Sequence, residues 1–94
     1  MLSKILETHY PLGNVILTPN ARTKLSGEEV NMALIRHLRG DEGELDEYAR
    51  REPERAALDG CRRLSVYRAA NGHRFWIITE SDFALTTVLL PEDF

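Results

Sequence analysis

An Asn71-Gly72 pair between two runs rich in β-branched and aromatic residues constrains the fold of this chain most strongly. The two runs cover residues 62–70 and 73–80. Asn-Gly is the strongest short-range signal for a β-hairpin, because a type I′ turn needs positive φ at both central residues. A third apolar run over residues 84–90 follows a short break and ends at Pro91. The sequence therefore predicts a C-terminal three-stranded antiparallel β-meander.

A two-residue loop at Asn71-Gly72 also predicts the register of the hairpin. Ala70 then lies opposite His73, and the pairs alternate between the two faces of the sheet from there. One face is predicted to pack on the helices, with the residues Leu64, Val66, Phe75 and Ile77. The opposite face is predicted to carry Tyr67, Trp76 and Ile78 between Arg74 and an Arg63–Glu80 pair.

The helices are predicted from their end signals. Ser26 and Glu29 have the spacing of a capping box, and the helix that follows runs to about Arg39, with Gly40 suited to a left-handed terminating conformation. The other predicted elements are a strand over residues 14–18, one helical turn over 21–25, and helices over 45–51 and 54–58. The expected fold is α+β: the meander and a short N-terminal strand packed against two or three short helices.

The size and composition limit what such a chain can be. Its 94 residues are enough for a single domain spanning residues 1–94. The apolar runs are too short to span a membrane, and the first residues lack the pattern of a secretory signal. Cys61 is the one cysteine, which excludes an internal disulfide and fits a reducing compartment. We therefore expect a cytoplasmic protein with no membrane partner.

The acidic residues are concentrated in one segment. Eight acidic residues and three arginines lie between Asp41 and Asp59, whereas the whole chain has a net charge of −3. The candidate partner-binding residues are Asp41, Glu42, Glu44, Asp46, Glu47, Glu52 and Glu54. They are explained either as a solvated helical face or as a surface that competes with a phosphate backbone for a basic groove.

The predicted outer hairpin face offers an alternative site. Arg63, Tyr67, Arg74 and Trp76 resemble a base-stacking platform for a nucleic-acid-associated accessory protein or a RelE-like ribonuclease toxin. The competing explanation is a cross-strand aromatic pair that packs in the core. The acidic balance of the chain argues against direct nucleic-acid binding, which normally needs a more basic surface.

No reaction centre is recognisable in the sequence. His9, His37 and His73 share no metal-ligand spacing with each other or with Cys61, and no histidine is placed to activate that thiol. His37 lies on the apolar stripe of its helix and is best explained as a histidine at the edge of the core. We expect no enzymatic activity, no metal and no cofactor.

Several short motifs resemble one family of small, largely uncharacterised proteins carried by bacterial plasmids, integrative elements and phages. The matching segments are residues 13–15 before 18–19, residues 39–41 before Gly43, residues 63–68, residues 76–80 (Trp-Ile-Ile-Thr-Glu) and residues 86–94 (Thr-Thr-Val-Leu-Leu-Pro-Glu-Asp-Phe). The resemblance covers residues 13–94 and is most specific in the last twenty. Two positions depart from the family pattern. Glu42 stands where the family tends to have an aromatic residue, and the family tends to have an arginine near the position of Phe83.

The resemblance implies a gene that helps a mobile element persist. Such genes include inhibitors of host restriction or CRISPR systems. It implies no catalytic residues. We therefore expect a non-enzymatic, anti-CRISPR-like protein whose acidic segment binds a basic nucleic-acid-binding surface of a host defence complex, for example a CRISPR effector subunit. It would act as a monomer or a homodimer. A small dimerising module joined through the outer strand of the meander is a further possibility.

Overall fold

Four β-strands and three α-helices form the regular structure of residues 12–53 and 63–93, which are the residues that the computed structural model describes. The strands are β1 (Asn14–Leu17), β2 (Arg63–Arg68), β3 (Arg74–Thr79) and β4 (Leu85–Leu89). The helices are α1 (Pro19–Lys24), α2 (Gly27–Leu38) and α3 (Leu45–Arg51), and a 3-10 turn spans Pro91–Asp93. The α+β class is confirmed. The predicted helix over residues 54–58 and Cys61 lie outside the described residues.

The strands form one mixed sheet in the order β1-β4-β3-β2. The pairs β2–β3 and β3–β4 are antiparallel, as the predicted meander requires. The N-terminal strand β1 joins the same sheet, parallel to β4, so that β4 is an inner strand. No helix in the described residues combines the length and apolar composition that crossing a membrane requires.

The hairpin loop has three residues, 70–72, instead of the predicted two. The Ala69 N–H donates to the His73 carbonyl (2.8 Å), and the Gly72 N–H donates to the Ala69 carbonyl (2.9 Å). Gly72 has φ +91°, but Asn71 does not have the positive φ that a type I′ turn requires there. The loop has the pattern of a three-residue connection with a glycine bulge. The predicted register is therefore wrong by one residue.

This shift exchanges the faces on which the strand residues lie. Tyr67 is opposite Phe75, and Val66 is opposite Trp76. The face that packs on α1 and α2, here the α1–α2 face, buries Tyr67, Ala69, Phe75, Ile77 and Val88. The face that packs on α3, here the α3 face, buries Leu64, Val66, Trp76, Ile78 and Leu89. The predicted composition of both faces is wrong, and helices cover both sides of the sheet.

The ends of α2 follow the sequence signals. The Glu29 N–H donates to the Ser26 hydroxyl (3.1 Å), which itself donates to the Glu29 carboxylate (3.2 Å). This satisfies an N–H that the helix leaves without a partner. Arg39 caps the other end, and Gly40 follows with φ +88°. The predicted capping box and left-handed glycine are both confirmed.

His37 anchors α2 to the sheet through a buried polar network. The residue is fully buried, with its Nδ1 2.6 Å from the Ser65 hydroxyl and its Nε2 2.8 Å from the Thr79 hydroxyl. The Thr79 hydroxyl in turn lies 2.8 Å from that of Thr86, on β4. Burial lowers the pKa of His37 from 6.5 to about 3, and the charge of Arg63 adds to this effect. The imidazole is therefore neutral and links one helix to three strands.

We predict that folding stability decreases as the pH falls below 6.5, since His37 takes up a proton in the unfolded chain but not in the folded protein. The free energy of unfolding should fall by up to about 1.4 kcal/mol per pH unit from this residue. Urea unfolding followed across the interval from pH 6.5 towards 3 measures the slope.

The His37→Gln variant is the control, because an amide can still bond both hydroxyls but does not titrate. It should be about 1–2 kcal/mol less stable at neutral pH. Its stability should also depend less on pH in that interval. Equal slopes for the two proteins would contradict the role assigned to His37.

Candidate interaction surface

Residues 41–44, here the edge strap, run along the outer edge of β2. The Val66 N–H donates to the Glu42 carbonyl (3.1 Å), and the Glu44 N–H donates to the Val66 carbonyl (2.7 Å). Gly43 forms an isolated parallel bridge with Val66. The edge strap thus carries the chain from α2 on one face of the sheet, around the edge, to α3 on the other. The start of the acidic segment is fixed to the sheet.

The backbone of the edge strap comes closest to β2 at Gly43, where only glycine fits. Its φ is +64°, and a Cβ atom there would lie 2.2 Å from the Val66 carbonyl oxygen. The Gly43 N–H also donates to the Asp41 carboxylate (3.0 Å). A side chain at this position would strain the backbone and push the edge strap off β2.

Asp41 is neutralised within the protein. The Arg36 Nε donates to its carboxylate (2.8 Å), and the Arg36 guanidinium lies over the Tyr67 ring, 4.7 Å from the centroid. The Tyr67 hydroxyl donates to the Asp41 carbonyl. The hydrogen bond from Arg36, followed by that from the Gly43 N–H, lowers the pKa of the Asp41 carboxyl. These contacts join α2, the edge strap and β2.

Two further acids of the segment are also paired with arginines. The Glu44 carboxylate lies 3.4 Å from the Arg68 guanidinium and 3.5 Å from that of Arg74. Glu47 lies 3.3 Å from Arg51, one turn further along α3. The negative charge of the segment is therefore much lower than its count of carboxylates indicates.

The remaining acidic candidates differ in what they present. Glu42 and Asp46 are exposed, and neither has a basic side chain within ion-pair distance in the described part of the chain. Glu52 is exposed at the end of α3. Glu54 lies outside the described residues. Glu42 and Asp46 are thus the candidates whose charge faces solvent.

The structure does not bring the alternative nucleic-acid residues onto one face. Arg63 and Tyr67 belong to the α1–α2 face, whereas Arg74 and Trp76 belong to the α3 face. Tyr67 is 2% exposed and Trp76 is 0% exposed, and the Arg63 guanidinium donates to the His37 carbonyl. The prediction of a shared hairpin face is wrong, because the register shift places its aromatic rings in two separate cores.

A shallow groove lies between α2 and the hairpin, with a volume of about 290 Å³. It is lined by Glu28, Glu29, Met32, Ala33, Arg36, Tyr67, Arg68 and Phe75. Arg36 and Arg68 line this groove and also pair with Asp41 and Glu44, so the groove and the edge strap form one continuous surface. An apolar side chain with a basic neighbour has the chemistry that fits this surface.

The groove was not predicted from the sequence. The apolar stripe of α2 that contains His37 is visible there, but Met32, which is 61% exposed, lies outside that stripe. Glu28, Met32 and Arg36 recur at a spacing of four residues and so share one side of the helix. That spacing was visible in the sequence, but the partner strand was not, because it depends on the hairpin register.

We predict that Gly43→Ala lowers the free energy of unfolding by about 1–3 kcal/mol, since it adds both steric overlap and backbone strain. It should also speed hydrogen exchange of the Val66 amide. Gly72→Ala is the matched control, because Gly72 also has positive φ but a Cβ there meets no atom within 4 Å. Urea unfolding should show the smaller loss for Gly72→Ala. Equal losses would mean that contact with β2 does not constrain Gly43.

No family model matches this chain, and no curated protein or solved structure matches it. The resemblance to proteins of mobile elements therefore stays a prediction.

Proposed function

We propose that this protein is a non-enzymatic binding protein of a mobile element, and that it inhibits a host defence complex by occupying a basic, nucleic-acid-binding surface. One observation carries the proposal: the exposed carboxylates of Glu42 and Asp46 stand on the edge strap and on the first turn of α3 that follows it, and the edge strap is hydrogen-bonded to the sheet. Fixed carboxylates compete with phosphates for lysine and arginine side chains at little cost in conformational entropy. We propose an anti-CRISPR-like activity as the specific form of this inhibition.

The acidic residues have two different tasks in this proposal. Asp41 and Glu44 are paired with arginines and hold the edge strap in place. Glu42 and Asp46 are the residues that meet the partner's basic side chains. The proposed interface is therefore narrower than the seven acidic candidates of the sequence analysis, with Glu52 at its border.

The groove supplies the apolar part of the same interface. Met32 is exposed at its rim, and Ala33 and Phe75 line it. Exposed ion pairs contribute only about 0.2–1 kcal/mol each, so a purely acidic contact would be weak. A partner side chain buried in the groove would supply the central contact, with the carboxylates giving orientation and rate of association.

We predict that the double variant Glu42→Gln/Asp46→Asn binds its partner roughly tenfold more weakly, because two ion pairs at the rim are lost. The partner is first captured from the bacterial host with the tagged chain and identified by mass spectrometry. Binding of the purified partner is then measured at low and moderate salt. The loss should be largest at low salt, where charges are least screened.

The matched control is Thr23→Lys/Asn31→Lys, which changes the net charge by the same amount at exposed helical positions. It should bind as the natural protein does. If both double variants weakened binding equally, the effect would come from the net charge of the protein and not from Glu42 and Asp46. Full binding by the carboxylate variant would remove Glu42 and Asp46 from the interface.

A further inference from the structure

The strand β1 directs a row of backbone groups away from the sheet. Asn14 donates its N–H to the Ala84 carbonyl (3.0 Å), and Thr18 donates to the Val88 carbonyl (3.0 Å). Backbone groups alternate in direction along a strand, so those of Val15 and Leu17 point to the side opposite β4. Within residues 12–53 and 63–93, no strand lies on that side of β1.

The chemistry of β1 is that of an unprotected edge. Its four residues carry no charge and no proline, which are the usual protections of an edge strand. Val15 is 38% exposed and Ile16 is 49% exposed. Phe83, another exposed apolar residue, has its backbone against Gly13, directly before β1.

The other edge of the sheet is treated differently. The edge strap covers β2 with two backbone hydrogen bonds at Val66. Arg68, at the end of β2, is paired with Glu44 of the edge strap. One edge is thus closed by the chain itself and by charge, whereas β1 is apolar and its outward groups are arranged to accept a further strand.

We propose that β1 pairs with β1 of a second copy of this chain, antiparallel, about a twofold axis that passes beside Ile16. Under this symmetry Val15 of each copy lies opposite Leu17 of the other, and the two residue pairs exchange four backbone hydrogen bonds. Ile16 lies opposite its own counterpart, in a position where facing side chains are close. The product is one continuous eight-stranded sheet.

A second copy is the occupant that the strand itself favours. The four residues are self-complementary: the two outward donors and two outward acceptors of one copy match those of the other. Both strands are uncharged, so no like charges meet at the twofold axis. The contact is short, so the association should be weaker than that of a standard interface and should depend on protein concentration. This inference is independent of the proposed function.

Sedimentation velocity of the full chain from roughly 10 µM to 1 mM covers the range in which a small interface associates. The natural protein should shift from monomer to dimer within this range. Ile16→Lys should weaken the association at least tenfold, since it places two charges side by side at the axis. A monomer over the whole range would overturn the proposal.

Ile35→Lys is the matched control, because Ile35 is 43% exposed on α2 and is not part of β1. It should associate as the natural protein does. A dimer that Ile16→Lys does not affect would place the contact elsewhere and overturn the proposal. Circular dichroism verifies that both variants are folded.

Hydrogen exchange provides a second, independent measurement on the natural protein. The amides of Val15 and Leu17 should exchange more slowly as the concentration rises. The amides of Asn14 and Thr18, which bond to β4, should be protected at all concentrations. Protection of Val15 and Leu17 in the dilute monomer would show that the chain covers its own edge, and would overturn the proposal.

Discussion

The pairing of β2 with β3 is the interaction on which the rest of the structure depends. Side chains alternate between the faces of a sheet, so one register places Ser65 and Tyr67 under α2 and Trp76 under α3. Ser65 then meets His37, and the Tyr67 hydroxyl meets the edge strap. A slip of one residue would separate all of these contacts at once. The core, the polar network and the position of the acidic segment are thus set by a single glycine-containing loop.

The distribution of charge around the acidic segment follows from this pairing of β2 with β3. Arg68 of the edge strand β2 and Arg74 of β3 lie on the same face of the sheet, where both reach Glu44, while Arg36 reaches Asp41 from the other side. These three arginines hold the edge strap against β2. They also reduce the negative electrostatic potential of the acidic segment around Asp41 and Glu44. The surface is therefore better suited to recognition by shape and a few exposed carboxylates than to broad electrostatic mimicry of a polynucleotide.

Local signals were readable in the sequence, and contacts between distant residues were not. Ser26, Glu29 and Gly40 act within a few residues of one another, and α2 has the ends they predict. The hairpin was predicted correctly but its register was not, because the loop has three residues instead of two. The Asn71 amide in this loop donates to the Lys24 carbonyl, a partner 47 residues away that the hairpin sequence does not contain. The parallel pairing of β1 with β4 likewise joins opposite ends of the chain. The same limit explains the candidate site: the acidic residues were found, but the arginines that neutralise Glu44 come from a hairpin far along the sequence.

The two proposed surfaces lie at opposite edges of one sheet, which has a consequence for binding. The edge strap borders β2, whereas the proposed second copy adds beside β1. A dimer formed through β1 would leave both acidic edges exposed, at the two far ends of an eight-stranded sheet and facing away from each other. Such a dimer could engage two basic surfaces of a repeated or symmetric assembly, and the second contact would form at a high effective concentration. A weak contact at each acidic edge would then be enough for tight binding, because one bound edge keeps the other edge close to its own binding surface.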